Sequence, residues 1–314
     1  MMHLPRRSAL ATTIAMCLVG MSASLATART PAPTSNPVAD GFRARSVAFF
    51  DADRGIVAGT IACHACAKRR TAAISTTADG GHTWNAPVTF GPSVASGATV
   101  VPGGVDAWAS IGRRLAHSGD GGATWTILPR SHVSDPSFAD AMSGWAIRRT
   151  AASTSLVATS DGGSTWAAVP APCRRGAKVP LFVSRATIDD GWVVCGGNPG
   201  AGSLLQVVWR TTDGGTSWTR ESHAVAPSAV GYRFLEDGHG WRWHYNFADL
   251  FRTTDAGATW HDLGPIANGY VADVWFVSDT HGFTLVERGN GSSRLMASTD
   301  GGSSWSGVVR FPAT

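Results

Sequence analysis

The octapeptide Thr77-Ala78-Asp79-Gly80-Gly81-His82-Thr83-Trp84 returns five more times in this chain of 314 residues, at 118–125, 159–166, 211–218, 253–260 and 298–305. Every copy reads [ST]-x-D-[GA]-G-x-[ST]-W. The aspartates, Asp79, Asp120, Asp161, Asp213, Asp255 and Asp300, are spaced by 41, 41, 52, 42 and 45 residues. Recurrence at roughly 40–50 residues is the period of one four-stranded propeller blade. The local chemistry suits a tight turn: the aspartate accepts hydrogen bonds from turn amides, and the glycines supply positive φ at little steric cost. The tryptophan then gives each repeat a large apolar anchor, within a blade or between blades.

A second motif runs in phase with the first. Phe49, Phe138, Phe234 and Phe276 each stand six residues before a glycine, Gly55, Gly144, Gly240 and Gly282. The next residue is apolar each time: Ile56, Trp145, Trp241 and Phe283. Gly191-Trp192 is a shortened version and Ala107-Trp108 a degraded one. Here a strand ends on the Phe, acids such as Asp51, Asp140 and Glu236 shape a turn, and the glycine–apolar pair starts the next strand. The expectation is an all-β, six-bladed propeller over 46–310, about 44 residues per blade. A seventh blade would have to come from the Pro-, Thr- and Ala-rich stretch 29–45, which is too short and reads as a flexible leader.

Composition agrees. With 37 Gly and 13 Trp but three Glu and two Lys, the chain lacks the charged faces that long amphipathic helices need.

Arg6 and Arg7 precede an apolar run from Ala9 to about Gly20, and Ala26-Thr27-Ala28 has the form of a cleavage site. Residues 1–28 are therefore expected to be an export signal, placing the mature chain in a secreted or cell-envelope compartment. Loss of Arg6 and Arg7 leaves 24 basic residues against 22 acidic ones, too mild an excess to argue for nucleic acid. Cys17 leaves with the signal. Cys63, Cys66, Cys173 and Cys195 allow three pairings, of which the local disulfides 63–66 and 173–195 are the one expected in an exported chain. Cys63-His64-Ala65-Cys66 also has the spacing of half a metal site or a redox motif, but no second ligand cluster lies nearby.

The six octapeptides resemble Asp-box (BNR) repeats, which occur in sialidases, sortilin-type receptor ectodomains, some endoglucanases and photosystem II assembly-factor propellers. The resemblance covers about 46–310 and is nearest to the assembly-factor type, where a Phe/acid/Gly-Trp unit alternates with a box. It implies a fold rather than an activity, because the box is a structural turn in enzymes and non-enzymes alike. A sialidase-like site would need an arginine triad, a tyrosine nucleophile, a glutamate partner and an acid/base aspartate. Only Tyr232, Tyr245 and Tyr270, with Glu221, Glu236 and Glu287, are available. Most aspartates belong to boxes or to inter-strand turns; Asp249 with Asp273 is one pair that two blades could bring together. No Ser-His-Asp signature, phosphate loop or zinc motif is present. No catalytic set, metal site or cofactor is assigned.

If the box joins the third and fourth strands of a blade, the opposite face carries the loops that vary in length and composition. Lys68-Arg69-Arg70, Arg113-Arg114, Arg148-Arg149 and Arg174-Arg175 fall there, either as solvated hairpin tips or as an arc of guanidinium forks around the channel mouth. In Trp241-Arg242-Trp243-His244-Tyr245, alternate residues share a face. Trp241 reads as inter-blade core, whereas Trp243 and Tyr245 read as candidates for an aromatic platform, helped by Arg242. The leading expectation is a non-catalytic, exported scaffold binding a protein or anionic partner through this face. The alternative is a sialidase-like glycoside hydrolase or a glycan-binding lectin.

Overall fold

In the computed structural model the described residues are Met1 and 41–62, 70–129, 132–174, 176–197, 203–227, 230–245 and 248–312. The expected export signal and Cys63–Cys66 therefore lie outside them. Every regular element among the described residues is a strand: six four-stranded antiparallel sheets are arranged as a β-propeller. The blades occupy 43–89, 95–127, 133–168, 179–227, 230–265 and 270–311, each a meander of four consecutive strands. Among the described residues no helix is long and apolar enough to cross a membrane.

The first strands of the blades, Arg43–Phe49, Ala95–Val100, Val133–Phe138, Val179–Arg185, Val230–Phe234 and Tyr270–Phe276, contact one another in succession and form the innermost ring. The last of them touches the first, so the ring closes. Five of the six are bulged where they pair with their second strand; in blade 6 the irregularity falls between Val271 and Asp273. A bulge increases local twist and re-aims side chains, which bends a strand around a narrow axis.

Each octapeptide forms the turn between third and fourth strands. In blade 3 the carboxylate of Asp161 accepts the Thr159 hydroxyl at 2.8 Å, the Thr165 amide at 2.8 Å and the Thr165 hydroxyl at 2.6 Å. Thr159 Oγ1 in turn accepts the Gly163 amide at 2.9 Å. The same set recurs in the other five blades. Five of the six tryptophans donate the indole N–H back to the second glycine of their own turn. Trp218 departs: its Nε1 is buried without a partner. Gly81 shows why glycine is needed there. Its φ is +87°, and a Cβ would sit 2.4 Å from Leu295 of blade 6.

The blades are joined by a repeating aromatic stack. The second residue of the second strand lies flat on the strand-ending phenylalanine of the next blade: Trp108 on Phe138 at 3.6 Å, Trp192 on Phe234 at 4.6 Å, Trp241 on Phe276 at 3.6 Å and Phe283 on Phe49 at 3.5 Å. Trp108, Trp192 and Trp241 also donate to the octapeptide turn of that next blade, at 2.9 Å each. Blade 4 ends its first strand on Arg185 instead of Phe, and the guanidinium covers the ring of Trp145 at 4.7 Å. A cation over an indole face replaces the ring–ring contact there. One disulfide, Cys173–Cys195, ties the connection leading into blade 4 to the second strand of that blade.

Candidate functional site

Strand direction divides the molecule into two faces. The amide of Gly80 in the first octapeptide donates to Asp53 O in the turn between first and second strands, at 2.9 Å. Gly162 and Gly301 make the same contact with Met142 and Thr280. Both sets of turns therefore share one face, the turn face; the second-to-third strand hairpins and the inter-blade connections share the other, the loop face. The six octapeptide aspartates and the acids Asp51, Asp140, Asp189, Glu236, Asp237 and Asp279 all lie on the turn face. Many are held in place: Asp51 accepts the amides of Asp53 and Arg54, and Asp140 those of Met142 and Ser143.

The candidate arginines lie on the loop face; Arg54, Arg185 and Arg210 lie by the turns of the opposite face. Arg113 and Arg114 are exposed on the tight hairpin of blade 2, and line a separate cavity of about 480 Å³ with Phe90 and His132. Arg149 is exposed, 3.6 Å from Asp135, and donates to Leu181 O at 3.3 Å. Arg148 turns into its blade and donates to Trp166 O at 3.1 Å. Arg174 is exposed. Arg70 is held by Thr60 Oγ1 at 2.7 Å and by the carbonyls of Thr60 and Gly41, both at 2.9 Å. Arg69 and Arg175 lie outside the described residues. None of the described pairs contributes to the cavity at the channel mouth. The hairpin tips sit a strand or more outward from the axis, so these arginines form a field around the mouth rather than its lining.

The mouth itself is a cavity of about 630 Å³ on the loop face, lined by residues of all six first strands. Its charged members are Arg45, Asp135, Arg233 and Asp273. A second cavity of about 700 Å³ opens on the turn face, where Asp140, Asp189, Glu236, Asp237 and Asp279 make the rim acidic. Thr99, Ser137, Ser184 and Arg233 line both cavities and so mark the waist of the channel. Burial presses the guanidinium of Arg233 down to about 9, the attraction of Asp273 offsetting only part of that cost.

The aromatic candidates separate. Trp241 is fully buried between blades and Trp243 is 9% exposed, its indole against Gly231. Tyr245 is 39% exposed on the mouth rim and stacks on Tyr270, itself 42% exposed, at 5.4 Å. Arg242 does not assist this platform. Strand alternation sends it to the other side of the sheet, over the rings of Phe251 at 4.4 Å and Trp260 at 5.1 Å. In sequence Tyr270 was weighed only as a nucleophile and not as a partner of Tyr245, because it opens a different blade, 25 residues on.

The mouth holds two carboxylates, two arginines and tyrosines, so its chemistry decides what the set can do. Asp273 Oδ2 accepts the Ser46 hydroxyl at 2.6 Å and the Val47 amide at 3.1 Å, while Oδ1 accepts the Val274 amide at 3.0 Å. Asp135 is engaged by Arg149. The Tyr232 hydroxyl donates to Gln206 Oε1 at 2.5 Å, and burial raises its pKa to about 12. A phenol so protected is a poor nucleophile. Asp249, the other acid weighed against Asp273, instead lies 3.8 Å from His244 within blade 5. Among the described residues no group of three or more His, Cys, Asp or Glu is placed to hold a metal ion.

No protein-family model matches this chain, and no curated protein matches it. Solved propellers do. The chain is similar to the structure described as YCF48 bound to D1 peptide, with TM-score 0.50 and 19% identity over 86% of this chain and 83% of that one. It is also similar to a GH74 xyloglucanase from Xanthomonas campestris, with TM-score 0.53 and 16% identity over 85% of this chain and 47% of that one. A variant of Aleuria aurantia lectin in complex with Fucalpha1-6GlcNAc matches with TM-score 0.56 and 11% identity, over 87% and 97%. At these identities the likeness is one of fold.

Proposed function

We propose that this protein is an exported, non-catalytic propeller scaffold that docks an acidic protein partner on its loop face. The observation that carries the reading is the set of exposed loop-face arginines, Arg113, Arg114, Arg149 and Arg174, set against an acidic turn-face rim where Arg54 and Arg210 are paired with Asp51 and Asp190. Such a field steers an acidic surface to one side of the disc and repels it from the other. Variable loops on a rigid ring suit partner recognition. A neighbour of the same fold has been solved with a bound peptide. Export is supported by the disulfide 173–195 and by the signal-like N-terminal sequence.

The test uses immobilised polyglutamate as the acidic surface. Replacing Arg113, Arg114, Arg149 and Arg174 together by serine is expected to weaken binding at least about ten-fold and to flatten its salt dependence. Unchanged binding by that variant rejects the reading. A second reading, glycan binding, has one observation behind it: the exposed Tyr245–Tyr270 pair at the mouth. Binding of neutral envelope oligosaccharides, abolished by Tyr270→Ala, would favour it.

A further inference from the structure

Arg233 stands where the two cavities of the channel meet, and its side chain is half satisfied. The residues just before the last position of each first strand are Ala48, Thr99, Ser137, Ser184, Arg233 and Trp275. Four of them are small or hydroxylic, and one is a cation. Nε of Arg233 donates to Phe276 O at 3.1 Å, and the guanidinium lies on the indole of Trp275 at 3.2 Å. These two contacts fix the plane of the fork.

Among the described residues its Nη1 and Nη2 donors have no hydrogen-bond partner, and no carboxylate lies within ion-pair distance of them. Asp273 shares the cavity, but both of its oxygens are already engaged by Ser46, Val47 and Val274. Asp135 is engaged by Arg149. Arg233 is partly buried, with its free donors facing the channel rather than the packed interior. A planar, pre-oriented fork with two free donors matches a carboxylate in bidentate geometry. Across the waist, Ser137 Oγ accepts the Arg185 amide at 2.8 Å, which leaves its hydroxyl proton for a ligand.

We propose that Arg233 anchors a carboxylate of an acidic peptide segment that enters the channel from the loop face, past Arg45. Entry from the other side is opposed by the acids on the turn-face rim. A peptide is favoured over a single sugar acid because the exposed arginines outside the mouth meet an extended acidic chain along its length. This inference rests on the docking reading and adds a specific anchor to it.

The experiment measures binding of N-acetylated tetraglutamate amide to the mature protein, with tetraglutamine amide and trigalacturonate as parallel probes. Tetraglutamate is expected to bind and tetraglutamine to fail. Arg233→Gln is expected to lower affinity about ten-fold or more. Arg233→Lys, which keeps the cation and loses the planar fork, is expected to do the same should Arg233→Gln fold poorly. Wild-type affinity in both variants overturns the anchor, as does failure of tetraglutamate to bind, or binding of trigalacturonate alone. The two readings separate cleanly. Loss of binding in the four-arginine variant but not in the channel variants leaves docking and removes the anchor. Loss in the channel variants alone leaves the anchor and removes loop-face docking.

Discussion

The indole N–H of Trp275, in the last blade, donates to the carbonyl oxygen of Phe49, in the first, at 2.8 Å. The two residues are 226 positions apart, and their contact closes the ring. Among the described residues no strand is exchanged between the first and last blades, since each is built from its own four consecutive strands. Closure therefore depends on side chains: this bond, the Phe283–Phe49 stack, the Asp273 bonds to Ser46 and Val47, and Phe42 against Phe311 at 5.9 Å.

Trp275→Phe keeps most of the ring surface and removes the donor, stranding a buried carbonyl. The expected loss is about 1–3 kcal/mol, read as a lower midpoint in urea unfolding. A midpoint equal to that of the parent protein would show that the bond does not support closure.

Asp273 carries a pKa of about 6, above the ordinary 3.8, because burial outweighs the hydrogen bonds from Ser46 and Val47. Between those values the folded chain holds a proton that the unfolded chain has released. Its stabilising effect is complete below about pH 4 and is lost as pH rises through about 6, by at most about 3 kcal/mol. Asp120 and Asp300 behave oppositely. The hydroxyls of Thr124 and Ser304 hold them near 2, so their contribution exists above about pH 4 and is lost as pH falls toward 2. Asp273→Asn should flatten only the upper limb of a stability–pH curve. A curve for that variant with the parental slope between pH 4 and 6 would sink the assignment.

Asp161→Ala removes the acceptor of three hydrogen bonds in one octapeptide turn. The loss should be about 1–2 kcal/mol, comparable to removing a helix cap. Hydrogen exchange is expected to accelerate at Thr165 first, since its amide loses its partner. Protection of Thr165 equal to the parent's would count against the proposed role of the carboxylate.

The disulfide 173–195 closes a loop whose ends are 22 residues apart. The chain-entropy estimate for such a loop is about 3 kcal/mol. Replacing both cysteines by serine should lower the urea midpoint accordingly and loosen the connection bearing Arg174. An unchanged midpoint would mean that the bridge constrains the unfolded chain less than its length implies.

Trp241 and the octapeptides were legible in sequence because their chemistry is local or periodic. Thr159, Asp161, Gly163 and Thr165 find one another within seven residues, so the pattern alone specifies the turn. The cysteine pair 173–195 was legible as well, being near in sequence and even in count. Arg242 was misread because it was set beside the Trp243–Tyr245 face, while the same strand alternation aims it away, at Phe251 and Trp260. The Arg185–Trp145 contact was illegible: only the register of blade 4 reveals that Arg185 occupies a phenylalanine position.

What the sequence determined by itself is the repeat: blade number, turn chemistry, and the apolar anchors that must be buried, because each is encoded within one period. What only the tertiary structure decided is the channel. Arg45, Asp273 and Arg233 share no motif and meet only because six strands, each about 44 residues from the next, converge on one axis. The claim of Arg233 on an anion arises from that convergence, since its free donors face a single channel only once the ring has closed around it.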